Sequence, residues 1–97
     1  MDPVIVDATG AQRYEARVDG RLAGFLEYVL KRGRIALVHT EVLPGHEGQG
    51  IATAVVRYAL DDARRRDLRV LAICPYVRSY LERHPEMQDL VVGMPPA

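Results

Sequence analysis

Leu43-Pro44-Gly45-His46-Glu47-Gly48-Gln49-Gly50 breaks an extended pattern, and from Ile51 apolar residues recur at Ile51, Ala52, Val55, Val56, Ala59, Leu60 and Ala63. A return every three or four residues marks one buried face of a helix running from Ile51 towards Arg64-Arg65-Arg66. Cations at that end complement the carbonyl pole of the helix dipole. Leu68 to Cys74 follows as Leu-Arg-Val-Leu-Ala-Ile-Cys, the nearly continuous apolar run of a strand buried on both faces. With the strand that ends at Val42, these segments predict a right-handed strand, helix, strand crossover.

Upstream, Val4-Ile5-Val6 reads as a short strand, and Arg13 to Val18 alternates with Tyr14, Ala16 and Val18 on one face. Asp7 to Gln12 leaves room only for a turn between them. Asp19-Gly20 supplies a positive-φ hairpin turn into Leu22 to Leu30, and Lys31-Arg32-Gly33 turns the chain into Arg34 to Val42. The first 43 residues thus form an antiparallel meander. Downstream, Pro75 suits a first helical turn, Val77, Tyr80 and Leu81 space a second helix to Arg83, and His84-Pro85 ends it. Pro85 to Val91 fits one more short helical turn, and Gly93 to Ala97 reads as a frayed tail.

The 97 residues fit one domain, taken as 1–97. Apolar residues at 48% and charged residues at 27% place the chain among globular proteins. Thirteen basic and thirteen acidic residues cancel to a net charge of +0, so no long-range field draws in nucleic acid or an anionic membrane. No apolar run approaches the roughly 18 residues needed to span a bilayer, and the start Met1-Asp2-Pro3-Val4 lacks the pattern of a signal peptide. The single cysteine, Cys74, forms no internal disulfide and fits a reducing compartment, so the expected setting is cytoplasmic. The expected assembly is a monomer or a homodimer. Cys74, His39, His46 and His84 are scattered and show no close ligand pair, so no metal site is expected.

Glu47-Gly48-Gln49-Gly50-Ile51-Ala52 joins the end of a strand to the start of a helix, where free N–H groups and the helix dipole favour an anion such as phosphate. Glycines let the backbone approach such a group closely. A Walker loop needs Gly-Lys followed by Ser or Thr, and a dinucleotide fingerprint needs a third glycine where Thr53 stands and an acid about 20 residues on. Both are missing, which disfavours ATP and NAD.

The same segment resembles the signature of the GNAT superfamily of acetyl-coenzyme A dependent N-acetyltransferases, Gln/Arg-x-x-Gly-x-Gly/Ala at the start of the helix after the fourth strand. Gly50 and Ala52 match it, whereas Glu47 departs from its first position. Cys74-Pro75-Tyr76-Val77 and His84-Pro85-Glu86-Met87-Gln88-Asp89-Leu90-Val91 extend the likeness to a small stand-alone YjdJ-like subgroup, from about Glu15 to Val91. The resemblance implies an α/β (α+β) fold: a minimal GNAT core with a mixed, mostly antiparallel sheet, a central β-α-β crossover and a short C-terminal helix. It implies acetyl-CoA as cofactor, with pantetheine between splayed fourth and fifth strands, here Thr40 to Leu43 and Leu71 to Cys74. Thr40, Val42, Leu43, His46, Glu47, Gly48, Gln49, Gly50, Ile51, Ala52, Thr53, Cys74 and Tyr76 are the expected contacts. The two helices that members carry between the first and second strands are missing, so the acceptor site should be open or completed by a partner.

Acetyl transfer needs a neutral amine, and a lysine-like amine of pKa about 10.4 is protonated at pH 7, so a base is required. His39 and Glu41 are the candidates, and simple alternation places both on the face of Ile35 and Leu37. Many family members protonate the departing thiolate with a tyrosine in the helix after the fifth strand, a role for which Tyr80 is the candidate here. Tyr76 and Tyr80 lie in that helix, although Leu81 takes the aligned place. Cys74, beside a helix start that would lower a thiol pKa, is the candidate for a role at the thioester. The resulting function is acetyl-CoA dependent N-acetylation of an amine acceptor, a protein among the candidates. The alternatives are a noncatalytic acyl-coenzyme A binding or sensing module and a small interaction domain.

Overall fold

Two tight turns organise the first half of the computed structural model, which describes residues 2–92. Asp19 and Gly20 both take positive φ, 52° and 76°, in the two-residue connection from β2 (Arg13–Val18) to β3 (Arg21–Lys31). Such a turn matches the right-handed twist of its strands. Gly33, with φ 70°, closes the next hairpin into β4 (Arg34–Val42). β1 (Val4–Ala8) runs on past Val6 and pairs antiparallel with β2, and only a 3-10 turn at Thr9–Ala11 connects the two.

Beyond Gly50 the chain forms α1 (Ile51–Arg65), β5 (Arg69–Ala72), α2 (Pro75–Arg83) and a 3-10 segment at Pro85–Leu90. The sheet order is β1-β2-β3-β4-β5, antiparallel except for the parallel pair β4 and β5. The crossover is central in the chain but lies at one edge of the sheet. The tail from Gly93 lies outside the described residues. No described helix is long and apolar enough to cross a membrane.

The core forms on one face of the sheet. Tyr14, Leu26, Tyr28, Ile35, Leu37 and Val70 pack there against Val55, Val56, Ala59, Leu60 and Ala63 of α1 and Val77, Tyr80 and Leu81 of α2. Both helices join this one cluster, so among the described residues the opposite face carries no helix. Arg64 ties the C-terminal segment to α1 through two bonds to the Asp89 carboxylate, at 2.7 and 3.0 Å.

Two expectations are corrected by this one-sided packing and by a bulge. β5 is not buried on both faces: Val70 is inside, but Leu71 is only half-buried and Ile73 is 50% exposed, because no second layer among the described residues covers that side. The strand is also shorter than Leu68 to Cys74. In β4 the ladder pairs Tyr28 with Leu37 but Glu27 with His39, which makes Val38 an extra residue. Such a bulge reverses the phase of everything beyond it. His39 and Glu41 therefore leave the face of Ile35 and Leu37 and stand beside Glu27 and Phe25 on the bare face.

Candidate functional site

β5 accompanies β4 only as far as the pair Leu37 and Ala72. There the N–H groups of Ile73 and Cys74 both donate to the Leu37 carbonyl, at 3.1 and 2.9 Å, and α2 turns the chain away. From Val38 onwards β4 has a strand neighbour only in β3, so the two parallel strands part as the resemblance implied, although Leu71 and Ala72 are still paired and the parting begins only at Ile73.

At the mouth of this opening lies a cleft of about 340 Å³ lined by Val42, His46, Glu47, Gly48, Gly50, Ile51, Ala52 and Tyr76. Gly48 and Gly50 take φ of 76° and 74°, a region that costs other residues about 1–2 kcal/mol. Gly50 caps α1 without a side-chain hydrogen bond, and the first turn of α1 contains no acid. The amides of that turn are thus left to a ligand or solvent. The loop holds itself together: the Gly45 N–H donates to Glu47 Oε2 at 3.1 Å, and His46 Nδ1 lies 3.2 Å from Gln49 Oε1.

The remaining expected contacts surround the cleft without lining it. Thr53 Oγ1 is 3.3 Å from the Tyr76 hydroxyl and so positions it, and the Leu43 N–H donates to the Ala23 carbonyl at 2.8 Å. Thr40 Oγ1 and Cys74 Sγ lie 3.4 Å apart on the two walls of the splay. Cys74 is 3% exposed at the N-terminal cap of α2. Burial pushes its thiol up, but the Thr40 hydroxyl and backbone groups of Val77, Tyr76 and Thr40 bring it below the ordinary value.

Of the two tyrosines, Tyr76 reaches the cleft and Tyr80 does not. Tyr80 is 3% exposed, stacks on His84 with ring centroids 4.0 Å apart, and burial raises its pKa. His39 Nε2 lies 3.2 Å from Glu41 Oε1, and both side chains are about half exposed on the bare face beyond the splay. Among the described residues no three His, Cys, Asp or Glu groups converge as a metal would require.

Sequence reading missed Asp62, buried on the inner face of α1. It accepts from the Tyr14 hydroxyl at 2.7 Å and from Arg66 at 3.2 Å, and it pairs with Arg65. The signal was its place on the stripe of Val55 and Ala59. Part of the arginine run at the helix end thus serves a buried carboxylate in addition to the dipole.

A meander, a crossover whose strands part, and a glycine loop opening the crossover helix define the class of GNAT acyltransferases. A family profile described as GCN5-related N-acetyl-transferase matches residues 13–90, and the chain belongs to that family. Protein NATD1 of Mus musculus is 34% identical over 82 residues, covering 81% of this chain and 74% of its own. A streptothricin acetyltransferase of Streptomyces lavendulae is 44% identical over 50 residues, half of this chain but 26% of the enzyme. Among solved structures, a GCN5-like protein of Staphylococcus aureus superposes with a TM-score of 0.71 at 21% identity, covering 95% of this chain and 90% of that one. A ribosomal-protein-alanine N-acetyltransferase of Brucella melitensis gives 0.59 at 24% identity, over 88% of this chain and 65% of that one. These two likenesses speak to the fold.

Proposed function

We propose that the protein transfers an acetyl group from acetyl-coenzyme A to an amine, and that the amine belongs to a protein rather than to an engulfed metabolite. The observation that carries this reading is the cleft at the strand opening, lined by two positive-φ glycines and the start of a helix whose first turn has no side-chain cap and no acid, an arrangement suited to an anion. The first-turn amides of α1 would hold pyrophosphate, and the unpaired edge of β4 from Val38 to Val42 would pair with the pantetheine amides. Acetyl-CoA supplies an activated acyl carbon, and the chain's own residues orient the partners and handle protons.

His39, paired with Glu41, is the base of this reading. Both groups stand half exposed on the bare face of the sheet, so an acceptor amine would meet them from solvent on that side. A neutral imidazole takes a proton from an ammonium with Glu41 stabilising the charge that results. Tyr76, whose hydroxyl lies at the cleft 3.3 Å from Thr53 in the first turn of α1, would contact the phosphate end of the donor rather than its sulfur, and Tyr80 is packed inside. Cys74 forms part of the wall beside Thr40. The short turn at Thr9–Ala11 in place of acceptor helices favours a macromolecular amine.

Calorimetric titration of acetyl-CoA into the protein, beside Gly50→Glu, tests the donor. Saturable binding lost in the variant supports it, and silence from both proteins removes this reading together with that of an acyl-CoA sensor. Transfer to a panel of peptide and small amines, followed by mass, tests the acceptor. Binding with no transfer to any amine would favour the noncatalytic module.

A further inference from the structure

Resting on that reading, we infer that the acceptor is a protein segment with an acidic residue about four positions from its reactive amine, recognised by the bare face of the sheet between Arg34 and His39. Lys31, Arg34 and Arg69 stand directly opposite one another on three adjacent strands. The intervening row, Leu30, Ile35 and Val70, sends Ile35 and Val70 into the core, so Arg34 and Arg69 face the other way. Val29, Ala36 and Leu71 form the next row on that bare face, with Ile73 beyond Leu71. Past the bulge come Glu27 and His39. Along β4 the bare face thus presents a cationic row, an apolar band and then the candidate base.

Stability explains neither row. Like charges directly opposite each other in a sheet are unfavourable. Among the described residues Lys31, Arg32, Arg34 and Arg69 form no ion pair, and Arg69 only donates to the Asp89 carbonyl, at 3.1 Å. Val29 is 42% exposed and Ile73 50%, and neither belongs to a core cluster. A carboxylate and an apolar side chain arriving on one peptide would satisfy both rows. The chain's own last residues, Gly93-Met94-Pro95-Pro96-Ala97, carry no acidic side chain with which to do so. Single-stranded nucleic acid would call for aromatic faces on which bases stack, and this band is aliphatic.

The spacing follows from the strand. Arg34 precedes His39 by five residues, one of which the bulge takes up, so the two are about 13 Å apart. An extended peptide covers that distance in about four residues. Its amine then meets His39 while its carboxylate meets Lys31 and Arg34.

The test uses two peptide sets, one with a free N-terminus as sole amine and one with a single lysine. Each carries Glu, Gln or Arg four residues from the amine-bearing residue, with valines between. The Glu peptide should exceed the Arg peptide about tenfold in kcat/KM, through KM, and salt should shrink the difference. Lys31→Glu combined with Arg34→Glu should reverse the order and leave coenzyme A affinity as it was, since neither residue lines the cleft.

Equal kcat/KM for the Glu and Arg peptides would overturn the inference, as would an order that the folded double variant keeps. A single-stranded oligonucleotide competing as well as the Glu peptide would overturn it in favour of nucleic acid. Should the double variant not fold, the native peptide series decides alone. Fluorescence anisotropy of the same peptides with their amines capped reads the surface without turnover. A preference for Glu in that assay upholds the surface even if no peptide is acetylated, a result that would strike the acetyl-transfer reading instead, and no preference removes the surface.

Discussion

Gly24→Ala probes the contact that joins the sheet to the start of the candidate site. A Cβ built on Gly24 would lie 2.7 Å from the Glu41 carbonyl oxygen and 2.7 Å from Ile51 Cγ2, with Val42 Cα at 3.5 Å. The first neighbour is backbone held in the β3 to β4 ladder, and the second belongs to a residue 2% exposed at the first position of α1. Neither moves freely, so the cost is that of overpacking, about 2 kcal/mol within a usual span of about 1–3. In a domain of this size that lowers Tm by about 10 °C. Because Ile51 lines the cleft, coenzyme A affinity should fall as well. Ile51→Leu keeps the volume but removes Cγ2, so the double variant should lose at least about 0.7 kcal/mol less than the two single costs together. Urea unfolding of the four proteins reads both quantities. A Tm change below about 2 °C, or additivity within about 0.4 kcal/mol, would refute the close approach as the cause.

Asp62→Ala strands the buried Tyr14 hydroxyl and should cost about 1–3 kcal/mol in urea unfolding, whereas adding Tyr14→Phe should recover much of it. Burial raises the pKa of Tyr14 to about 12, and burial with the bond to Asp7 does the same for Tyr28, so the folded state holds these protons more tightly than the unfolded chain. Their contribution is complete below pH 10 and is lost as pH rises through about 12; unfolding midpoints between pH 9 and 12 should show a decline that is shallower in Tyr28→Phe. His39→Ala should lower kcat by about 10²–10⁴ with little change in coenzyme A affinity, and unchanged turnover would remove it as the base.

The elements were legible because each has a local cause: positive-φ turns at Asp19-Gly20 and Gly33, a 3.6-residue stripe from Ile51, and proline at the start of α2. The glycine loop was legible for the same reason. What escaped depends on neighbours distant in sequence. Val-His-Thr-Glu at 38–41 carries no glycine or proline to announce a bulge, so alternation carried His39 and Glu41 to the wrong face. The apolar run of β5 looks doubly buried, yet its outer side chains cover an edge that no second layer reaches. Asp62 sits on the buried stripe of α1, but the partner that satisfies it, Tyr14, lies on another element 48 residues away.

Among the described residues the outer face of the sheet carries no helix, and long side chains laid across the strands cover part of it instead. Val6, Glu15, Phe25 and Glu41 form one cross-strand row, and Ala8, Arg13, Glu27 and His39 form the next. Glu15 is 6% exposed because Arg13 and Arg17 each bond one of its oxygens at 2.8 Å, and Arg17 and Arg13 together hold its carboxyl below the usual range. The Arg13 guanidinium also covers the Phe25 ring at 4.5 Å from its centroid. Long side chains laid across the strands thus shield apolar surface while their charged ends stay wet, a task that a packed helix performs elsewhere. Phe25 also stands edge-on to His39, with centroids 6.2 Å apart, so the shield meets the candidate base. A closed acceptor pocket would bury this arrangement, whereas an extended or macromolecular amine can cross it and still reach the strand opening. Removing the shield therefore distinguishes the two: Arg13→Ala should loosen Phe25, raise KM for a peptide amine, and leave the affinity for coenzyme A as it was. Equal loss of donor and acceptor binding would mean that the rows serve stability alone.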